Sequence, residues 1–398
     1  MLLRKLYYRI RQFAFSAFMC IAPTRDSIVI AGAGSIYKVP KLIKEQGLKK
    51  VFIITTSGFL RRGSLQAFFE AFQTENIKFI IFGEVQPDPT INCIEKAVDI
   101  YQNEHCEAIV AVGGGSVIDC AKAVGARIAR PKKTLLQLQG LLKVMKKIPS
   151  IYAIPTTAGT ESEATAGAVI TNGENHYKYT VLDLCLVPKY AILDAELTTT
   201  LPSSITAVTG MDALTHAIEA YTNRFASPKA RKNAKVAVKL IYKNLLKAYE
   251  NGNDIEAREN MLLASYYAGI AINNNFVGYV HAIAHGIGGL YGVPHGKANA
   301  IILPYVLEYY GKAIEKKLAE LADVAGIKGN TQKEQAKALI TSVRNLNKKM
   351  GIPEKIEELK RKDFQMLVQR AVKEANPTYP VPTIWTEKEF GLVIKRLK

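Results

Sequence analysis

Four of the six histidines in the chain fall between positions 216 and 295, and an aspartate accompanies them. Asp212 and His216 lie four residues apart in GMDALTHAIEAY, and His281 and His285 repeat this spacing in VHAIAHGIGG. Residues four apart share one face of a helix. His295 follows after a glycine-rich turn. A carboxylate with several imidazoles and no thiolate is typical of a site for iron or zinc that keeps a coordination position open for a substrate oxygen.

A glycine turn joins a strand pattern to a helical pattern in the first half of the chain. The apolar run AIVAV leads directly into Gly113–Ser116 (GGGS), and VIDCAKAVGARIA follows. Glycines at such a turn let the backbone approach a phosphate, and the helix N-terminus behind them offers free N–H groups. The spacing is neither GxGxxG nor that of a P-loop, so a pyrophosphate site and a simple tight turn both remain open. The polar segment 155–165 (PTTAGTESEAT) follows the next strand pattern and is suited to line the same nucleotide site.

Two different patterns divide the chain. Short apolar runs suited to buried parallel strands cover residues 51–55, 79–82, 108–112 and 151–154, and helical patterns at 64–74 and 94–102 lie among them. After about residue 201, helix-forming stretches dominate, at 205–221, 229–249, 257–273, 312–325 and 332–350. The sequence therefore predicts an α/β domain over residues 1–195 and an all-helical domain over 196–398, packed closely with a cleft between them.

Composition excludes several classes of protein. The 53 basic and 35 acidic residues among 398 give a net charge of +18, but the cations are spread along the whole chain. No nucleic-acid-binding motif is present, so the excess indicates an ordinary basic surface rather than a nucleic-acid partner. Five scattered cysteines without a CxxC pair indicate a reducing, cytoplasmic location. The remaining histidines, His105 and His176, stand alone and are interpreted as surface residues.

The N-terminus combines cations with a short apolar run. Residues 1–11 carry Arg4, Lys5, Arg9 and Arg11, and FAFSAFMCIAP follows. The run resembles a signal peptide but lacks a clear cleavage site, and it is shorter than the approximately 20 residues that a bilayer requires. We expect this segment to pack on the domain, with a weak membrane-surface contact as the alternative.

Four collinear motifs of this chain resemble those of the iron-containing (group III) alcohol dehydrogenase family. They are GGGSVIDCAK, IPTTAGTESEAT, TGMDALTHAIEAY and VHAIAHGIGGLYGVPHGKANAIILP, and the similarity runs from about Ile28 to the C-terminus. The resemblance implies an α/β N-terminal dinucleotide-binding domain with a parallel sheet and an all-α C-terminal metal-binding domain, a dehydroquinate synthase-like fold. It also implies a homo-oligomer.

The family motifs assign roles to individual residues. The resemblance implies that the metal is bound by Asp212, His216, His281 and His295. His285 would then lie beside the nicotinamide and relay a proton. Matching positions that would line the dinucleotide site are Gly113, Gly114, Gly115, Ser116, Asp119, Thr156, Thr157, Thr160, Thr165 and Lys178. Asp194 also matches the family, and we interpret it as structural.

Three positions depart from the family pattern. Glu161 stands where the family usually has glycine, so its carboxylate either disturbs phosphate binding or points outward. Gly286 follows His285 where many members have proline. Thr56, after the strand pattern at 51–55, replaces the aspartate with which NAD-preferring relatives bind the adenosine ribose. Without that carboxylate, and with Arg61 and Arg62 one turn downstream, the charge pattern favours NADP(H) over NAD(H).

These observations together predict a metal-dependent, NAD(P)-linked alcohol dehydrogenase or aldehyde reductase that uses Fe²⁺ or Zn²⁺ and a small-molecule substrate. The reaction is reversible hydride transfer between a primary alcohol or aldehyde and nicotinamide. Alternatives within the superfamily are a zinc-dependent polyol or glycerol-phosphate dehydrogenase and a dehydroquinate-synthase-like lyase. A non-catalytic protein that binds membranes or nucleic acid on an inactive scaffold is disfavoured, because all four ligand positions are intact.

Overall fold

The computed structural model describes residues 2–21, 26–174 and 177–398. By its internal contacts the chain divides into two compact units, one over Thr24–Thr200 and one that joins Met1–Pro23 to Leu201–Lys398. His176 lies outside the described residues, whereas His105 is exposed, as expected.

The described strands of the α/β unit are β1 (Ile28–Ala31), β2 (Lys50–Ile54), β3 (Lys78–Phe82), β4 (Ala108–Gly113), β5 (Gly140–Leu141), β6 (Ser150–Pro155), β7 (Gly167–Asn172), β8 (Tyr177–Leu182) and β9 (Tyr190–Leu193). Six of them form a parallel sheet in the order β1-β9-β6-β4-β2-β3, and the other three form a smaller sheet in the order β5-β8-β7. All four predicted strands belong to the main sheet. The continuous apolar runs of β2, β4 and β6 reflect burial on both faces, whereas the edge strand β3 is only partly buried.

Helices cover both faces of the main sheet. The α-helices of this unit are α2 (Val39–Glu45), α3 (Ser57–Arg61), α4 (Gln66–Thr74), α5 (Ile91–Asn103) and α6 (Gly115–Ala129). Helices α2 and α4 contribute to the core on one face, and α5 and α6 contribute to the core on the other. After β2 the chain moves to β3 on one side, then returns to β4 on the other side of β2. This reversal opens a crevice at the carboxyl ends of β2 and β4, where ligands bind in such folds.

Asp194 holds the end of β9 against the loop that follows β1. Its buried carboxylate accepts hydrogen bonds from the backbone N–H groups of Gly34, Ile36 and Glu196, at 3.0–3.1 Å. These bonds satisfy backbone donors inside the unit, which fits the structural interpretation of this residue.

The second unit is helical, as predicted. After the first helix of the chain, α1 (Leu2–Ile21), its helices are α7 (Ser203–Thr222), α8 (Pro228–Glu250), α9 (Ile255–Asn275), α10 (Tyr279–Tyr291), α11 (His295–Tyr310), α12 (Glu315–Val324), α13 (Gln332–Lys349), α14 (Phe364–Ala375) and α15 (Glu387–Arg396). Most of α7 is buried, and α8, α9 and α11 pack against it. The fold class predicted from sequence is therefore confirmed.

By its contacts, helix α1 groups with the helical unit and not with Thr24–Thr200. It packs on the helical unit, where Arg9 donates hydrogen bonds to the carbonyl oxygens of Val381 and Pro382 at 2.6 and 2.9 Å. Gln12 is fully buried and donates to the carbonyl oxygen of Asn376. These partners lie more than 350 residues away in sequence, so no local pattern indicates them. Within the described part of the chain, no helix combines the length and apolarity needed to cross a bilayer.

Candidate functional site

The carboxylate and three of the histidines predicted to bind metal converge in the helical unit. Asp212 and His216 lie on consecutive turns of α7, His281 lies on the first turn of α10, and His295 begins α11. One donor atom of each residue lies within 4.8 Å of the others. A divalent ion with bonds of about 2.1 Å gathers its ligand atoms into a shell of similar size. The i, i+4 spacing of the first pair places both side chains on the buried face of α7.

The environment of Asn299 tests whether this donor set suits a cation. Its side-chain nitrogen lies 2.6 Å from Asp212 Oδ1 and 3.0 Å from both His281 Nε2 and His295 Nε2. An amide nitrogen has two hydrogens and can satisfy only two of these three groups as acceptors. A carboxylate and imidazole nitrogens that converge on one point are therefore better matched by a divalent cation than by the amide.

Glu219 fixes the orientation of His281. One carboxylate oxygen lies 2.6 Å from His281 Nδ1 and also accepts from the backbone N–H of Gly278, while the other accepts from the N–H of Val280. The carboxylate thus holds the proton on Nδ1 and leaves Nε2 unprotonated and available to a metal. Sequence reasoning overlooked Glu219, although it lies three residues after His216 on the same face of α7. Asn299 was overlooked too, although it lies four residues after His295.

Burial controls the charges of this cluster. It lowers the pKa of His216 and lowers that of His281 well below the ordinary value, so both imidazoles are neutral and able to bind a metal. Burial raises the pKa of Asp212, an effect that His216 and Asn299 partly offset. Burial also raises the pKa of Glu219 to about 7 against the effect of its backbone hydrogen bonds. A cation in the cluster would stabilise both carboxylates in their charged forms.

The start of α11 approaches α7 so closely that only glycine fits beside His295. A Cβ atom on Gly296 would lie 2.3 Å from the carbonyl oxygen of Val208 and 3.4 Å from the Cβ of Asp212. Because real Cβ atoms do not tolerate such a contact with backbone, the glycine sets the separation between Asp212 and His295, two of the four candidate metal ligands.

His285 lies beside the four donors but pairs with a different group. Its ring stacks on that of His295 at 5.2 Å, and its Nδ1 lies 2.7 Å from Glu374 Oε1. Tyr379 donates to the same oxygen at 2.8 Å. Burial lowers the pKa of His285, but Glu374 outweighs it, so the pKa lies above its ordinary value. A histidine held in this way can exchange a proton through Nε2.

In the α/β unit, the glycine turn and the threonine segment meet at the carboxyl ends of the neighbouring strands β4 and β6. The backbone N–H of Thr156 donates to the carbonyl oxygen of Gly113. Thr157 packs beside Gly114, and Thr160 packs beside Gly115, the first residue of α6. The φ angles of these glycines are not in the left-handed region. The glycines are therefore needed for space, and they leave the N-terminus of a 15-residue helix accessible to a phosphate.

We expect Gly115→Ala to weaken dinucleotide binding about tenfold or more, because the new Cβ would lie 2.8 Å from Thr160 Oγ1 and move the turn. Titration of protein fluorescence with NADPH measures this. Gly391→Ala in α15 is the control, since its Cβ has room, with the nearest atom at 3.9 Å. Equal affinity in both variants would show that the turn does not hold the cofactor.

Asp119 and Thr165 take part in hydrogen bonds between α6 and the threonine segment. Asp119 is partly buried and accepts hydrogen bonds from Ser162 Oγ and from the backbone N–H of Val169. The buried Lys122, which the sequence did not single out, donates to the carbonyl oxygens of Thr165 and Gly167, both at 2.7 Å. Since the described contacts of Asp119 are with protein donors, its contribution is to fix the threonine segment on α6.

Glu161 is buried, which corrects one alternative, that this side chain points outward. Its backbone has φ 54°, in the left-handed region that favours glycine. This conformation is a physical reason for the glycine that the family usually has here. Glu161 adopts this strained backbone conformation, and its side chain adds a buried carboxylate to the threonine segment.

The remaining predicted cofactor residues are Thr56, Ser116 and Lys178, all in the α/β unit. Thr56 caps the N-terminus of α3 and accepts a hydrogen bond from the N–H of Phe59 at 3.4 Å. Ser116 Oγ accepts from the backbone N–H of Asp88, whose carboxylate forms an ion pair with Lys178 at 2.7 Å. Loop 83–90 therefore connects Ser116 with Lys178.

Comparison with known proteins identifies the family. The model of "Iron-containing alcohol dehydrogenase" matches residues 26–195, and that of "Fe-containing alcohol dehydrogenase family, C-terminal" matches residues 206–396. Both matches agree with the family resemblance that the sequence motifs indicated.

Individual relatives agree with this family match. The NAD-dependent methanol dehydrogenase of Bacillus methanolicus is 36% identical over 92% of this chain and 97% of its own. The NADPH-dependent butanol dehydrogenase of Clostridium saccharobutylicum is 36% identical over 82% of this chain and 84% of its own. A crystal structure of 1,3-propanediol oxidoreductase, 34% identical, superposes with a TM-score of 0.90 over 94% of this chain and all of its own. The chain therefore belongs to the iron-containing alcohol dehydrogenase family, whose members are metal-dependent oxidoreductases that interconvert alcohols and aldehydes with a nicotinamide cofactor.

Proposed function

We propose that this enzyme binds ferrous iron through Asp212, His216, His281 and His295 and interconverts short primary alcohols and aldehydes with NADP(H). The observation that carries the proposal is the convergence of these four donors, with Nε2 of His281 made available by Glu219. The names of the relatives refer to methanol, butanol and 1,3-propanediol, which are all short primary alcohols. Three imidazoles and one carboxylate, without a thiolate, suit Fe²⁺ as well as Zn²⁺.

Each group has a separate task in this proposal. A bound ferrous ion supplies Lewis acidity that polarises the substrate oxygen. The histidines and Asp212 set its position, and Glu219 keeps His281 in the required tautomer. The glycine turn and the threonine segment hold the dinucleotide, and His285 carries the alcohol proton away in oxidation or returns it in aldehyde reduction.

Anaerobic reconstitution of the metal-stripped enzyme tests this function. Ferrous iron or zinc is added, and NADPH or NADH oxidation is followed at 340 nm with a panel of short aldehydes, on the expectation that iron with NADPH gives the highest rate. Turnover only with zinc would contradict the choice of metal. No turnover with either metal, despite stoichiometric binding, would contradict the substrate class and favour a phosphorylated polyol or a lyase reaction.

The pH profile tests the role of His285. Glu374 raises the pKa of His285 by stabilising the imidazolium form, although both side chains are partly exposed and solvent weakens the effect. Alcohol oxidation requires the neutral imidazole, so its rate rises with pH through this pKa. Glu374→Gln removes the carboxylate, lowers the pKa, and should move the rise to lower pH.

Initial rates of alcohol oxidation measured from about pH 5 to about pH 10, a range that includes the ordinary histidine pKa, show this shift. Tyr379→Phe is the matched control, because it removes only the hydroxyl that shares Glu374 Oε1 and keeps the charge. If Glu374→Gln does not change the pH at which the oxidation rate rises, His285 is not the proton carrier.

Two features of the segment that follows β2 support a preference for NADP(H) over NAD(H). Thr56 brings no negative charge to the end of β2, where a carboxylate would repel a 2′-phosphate. A Cβ built on Gly58 would lie 3.4 Å from Arg62 Nη1 and 3.8 Å from Thr56 Oγ1, so these two groups lie on the same side of Gly58. The Arg62 guanidinium lies over the ring of Phe59, 4.8 Å from its centroid. This contact favours the position of the cation near Thr56.

We expect Thr56→Asp to lower kcat/KM for NADPH about tenfold or more and to leave that for NADH nearly unchanged, because the new carboxylate repels only the 2′-phosphate. Arg62→Gln should likewise affect NADPH alone. Steady-state kinetics with both cofactors measures the ratio. If both cofactors lose activity equally, the 2′-phosphate does not lie at Thr56 and Arg62.

Location and assembly complete the proposal. The four cysteines whose side chains are described are free thiols, which supports a reducing, cytoplasmic location. The family resemblance supports assembly as a homo-oligomer. The dispersed positive charge supports a small-molecule substrate rather than a nucleic-acid partner.

A further inference from the structure

Helix α1 lies outside the two regions that match the family, which begin at residue 26. It carries a continuous row of large apolar side chains that are exposed, from Leu3 (81% exposed) to Phe13 (60%). The row consists of Leu3, Leu6, Tyr7, Ile10 and Phe13. These positions follow the three- and four-residue spacing of one helix face, and we call them the apolar face of α1. Five such residues in one contiguous row are unusual on the surface of a protein without a ligand for them.

The opposite side of α1 is the one that attaches it to the helical unit. Gln12 and Ser16 are buried, and Arg9 donates to two carbonyl oxygens of the segment that follows α14. Polar side chains thus anchor the helix, and at one edge of the apolar face Phe13 also contacts the ring of Phe225, with 5.6 Å between centroids. The rest of the apolar face, Leu3, Leu6, Tyr7 and Ile10, is exposed to solvent. This arrangement is the reverse of an ordinary surface helix, whose apolar side faces its own core.

The charges on α1 identify the surface that would cover the apolar face. Residues 1–25 contain no aspartate or glutamate, and their basic residues are Arg4, Lys5, Arg9, Arg11 and Arg25. At 100° per residue, Arg4 and Arg11 lie together at one edge of the apolar face. If a second copy packed there, face to face, it would bring these cations together without a carboxylate on either helix. An anionic bilayer would accept both the apolar side chains and the cations.

We propose that α1 is an interfacial helix that attaches this dehydrogenase to anionic membrane surfaces, with its apolar face inserted among the lipids and Arg4 and Arg11 at the headgroups. The attachment is peripheral, since α1 stays bound to its unit through Arg9 and Gln12. It is separate from catalysis, and the enzyme keeps its turnover when detached.

Co-sedimentation of the full-length protein with vesicles tests the proposal. We expect binding to phosphatidylcholine vesicles that contain about 30% phosphatidylglycerol, weaker binding at high salt, and little binding to phosphatidylcholine alone. Leu3→Ser/Leu6→Ser/Ile10→Ser should weaken binding about 100-fold, because three large side chains no longer enter the lipid. The matched control, Ile205→Ser/Ile255→Ser/Leu392→Ser, changes three exposed apolar residues elsewhere in the same unit and should bind like the unchanged protein.

A charge variant, Arg4→Gln/Arg11→Gln, keeps the apolar face and should weaken binding to the anionic vesicles about tenfold. Turnover with NADPH verifies that each variant is folded. The proposal is overturned if the unchanged protein binds neither type of vesicle, if it binds both equally, or if the control loses as much affinity as the α1 variant. Sedimentation velocity without lipid gives the remaining outcome: an oligomer that only the α1 variant dissociates would assign the face to a second copy and overturn membrane attachment.

Discussion

His281→Ala should abolish metal-dependent turnover, with kcat/KM falling at least about 1,000-fold. His281 lies at the centre of the donor cluster, with its ring 4.3 Å from that of His216 and 5.3 Å from that of His295. Alanine removes one of the four donors and also leaves the carboxylate of Glu219 without its imidazole partner. The bound metal should then exchange readily and lose its fixed position, so that the substrate oxygen is no longer held for hydride transfer.

Metal content after gel filtration, together with turnover by the iron-reconstituted protein, measures this effect. His105→Asn is the control, because His105 is exposed, and asparagine tolerates its left-handed backbone of φ 48°. The control should keep one metal per chain and full activity. A His281→Ala protein that retains both stoichiometric iron and a substantial part of its activity would show that the metal is held elsewhere.

Glu219→Gln should lower metal affinity about 10- to 100-fold, although Glu219 itself does not point into the donor cluster. The carboxylate faces three N–H donors, from Gly278, Val280 and His281. A glutamine of the same size offers one carbonyl oxygen and places an NH₂ group against one or more of these donors. If His281 responds by moving its proton to Nε2, the metal-binding atom is lost. The buried mismatch should also lower the free energy of unfolding by about 1–3 kcal/mol.

Two readings separate the positioning role from a purely structural one. Competition with a chelator gives the metal affinity, and thermal unfolding of the metal-free protein gives the stability change. Glu308→Gln is the control, since Glu308 is a partly exposed carboxylate of the same unit that forms ion pairs with Arg344 and Arg396. A Glu219→Gln protein that loses stability but binds iron with unchanged affinity would refute the positioning role and leave Glu219 as a helix-packing residue only.

Much of the fold follows from local patterns. Runs such as 108–112 are apolar at every position because their strands are buried on both faces of the parallel sheet. The helical stretches after residue 201 form helices near their predicted bounds, because their residues favour that conformation before any tertiary contact. The sequence did not predict the shorter or isolated strands. Strands β1 and β9 have four residues each, and β7 and β8 form an antiparallel pair in the second sheet. Such strands carry too few residues to establish a period.

Local sequence patterns were enough to predict the candidate site, since the i, i+4 spacing of Asp212 and His216 depends on the geometry of one helix, and GGGS after an apolar run depends on one strand and one turn. The partners that act across elements became visible only in the folded chain. Glu219 reaches His281 from α7 to α10, Glu374 reaches His285 from α14, and Lys122 holds the threonine segment from α6. The tertiary structure also decided that α1 packs on the helical unit, through contacts between residues more than 350 positions apart. The physical reason is that helix and strand periods act over a few residues, whereas the burial and pairing of a charge depend on which elements pack together in space.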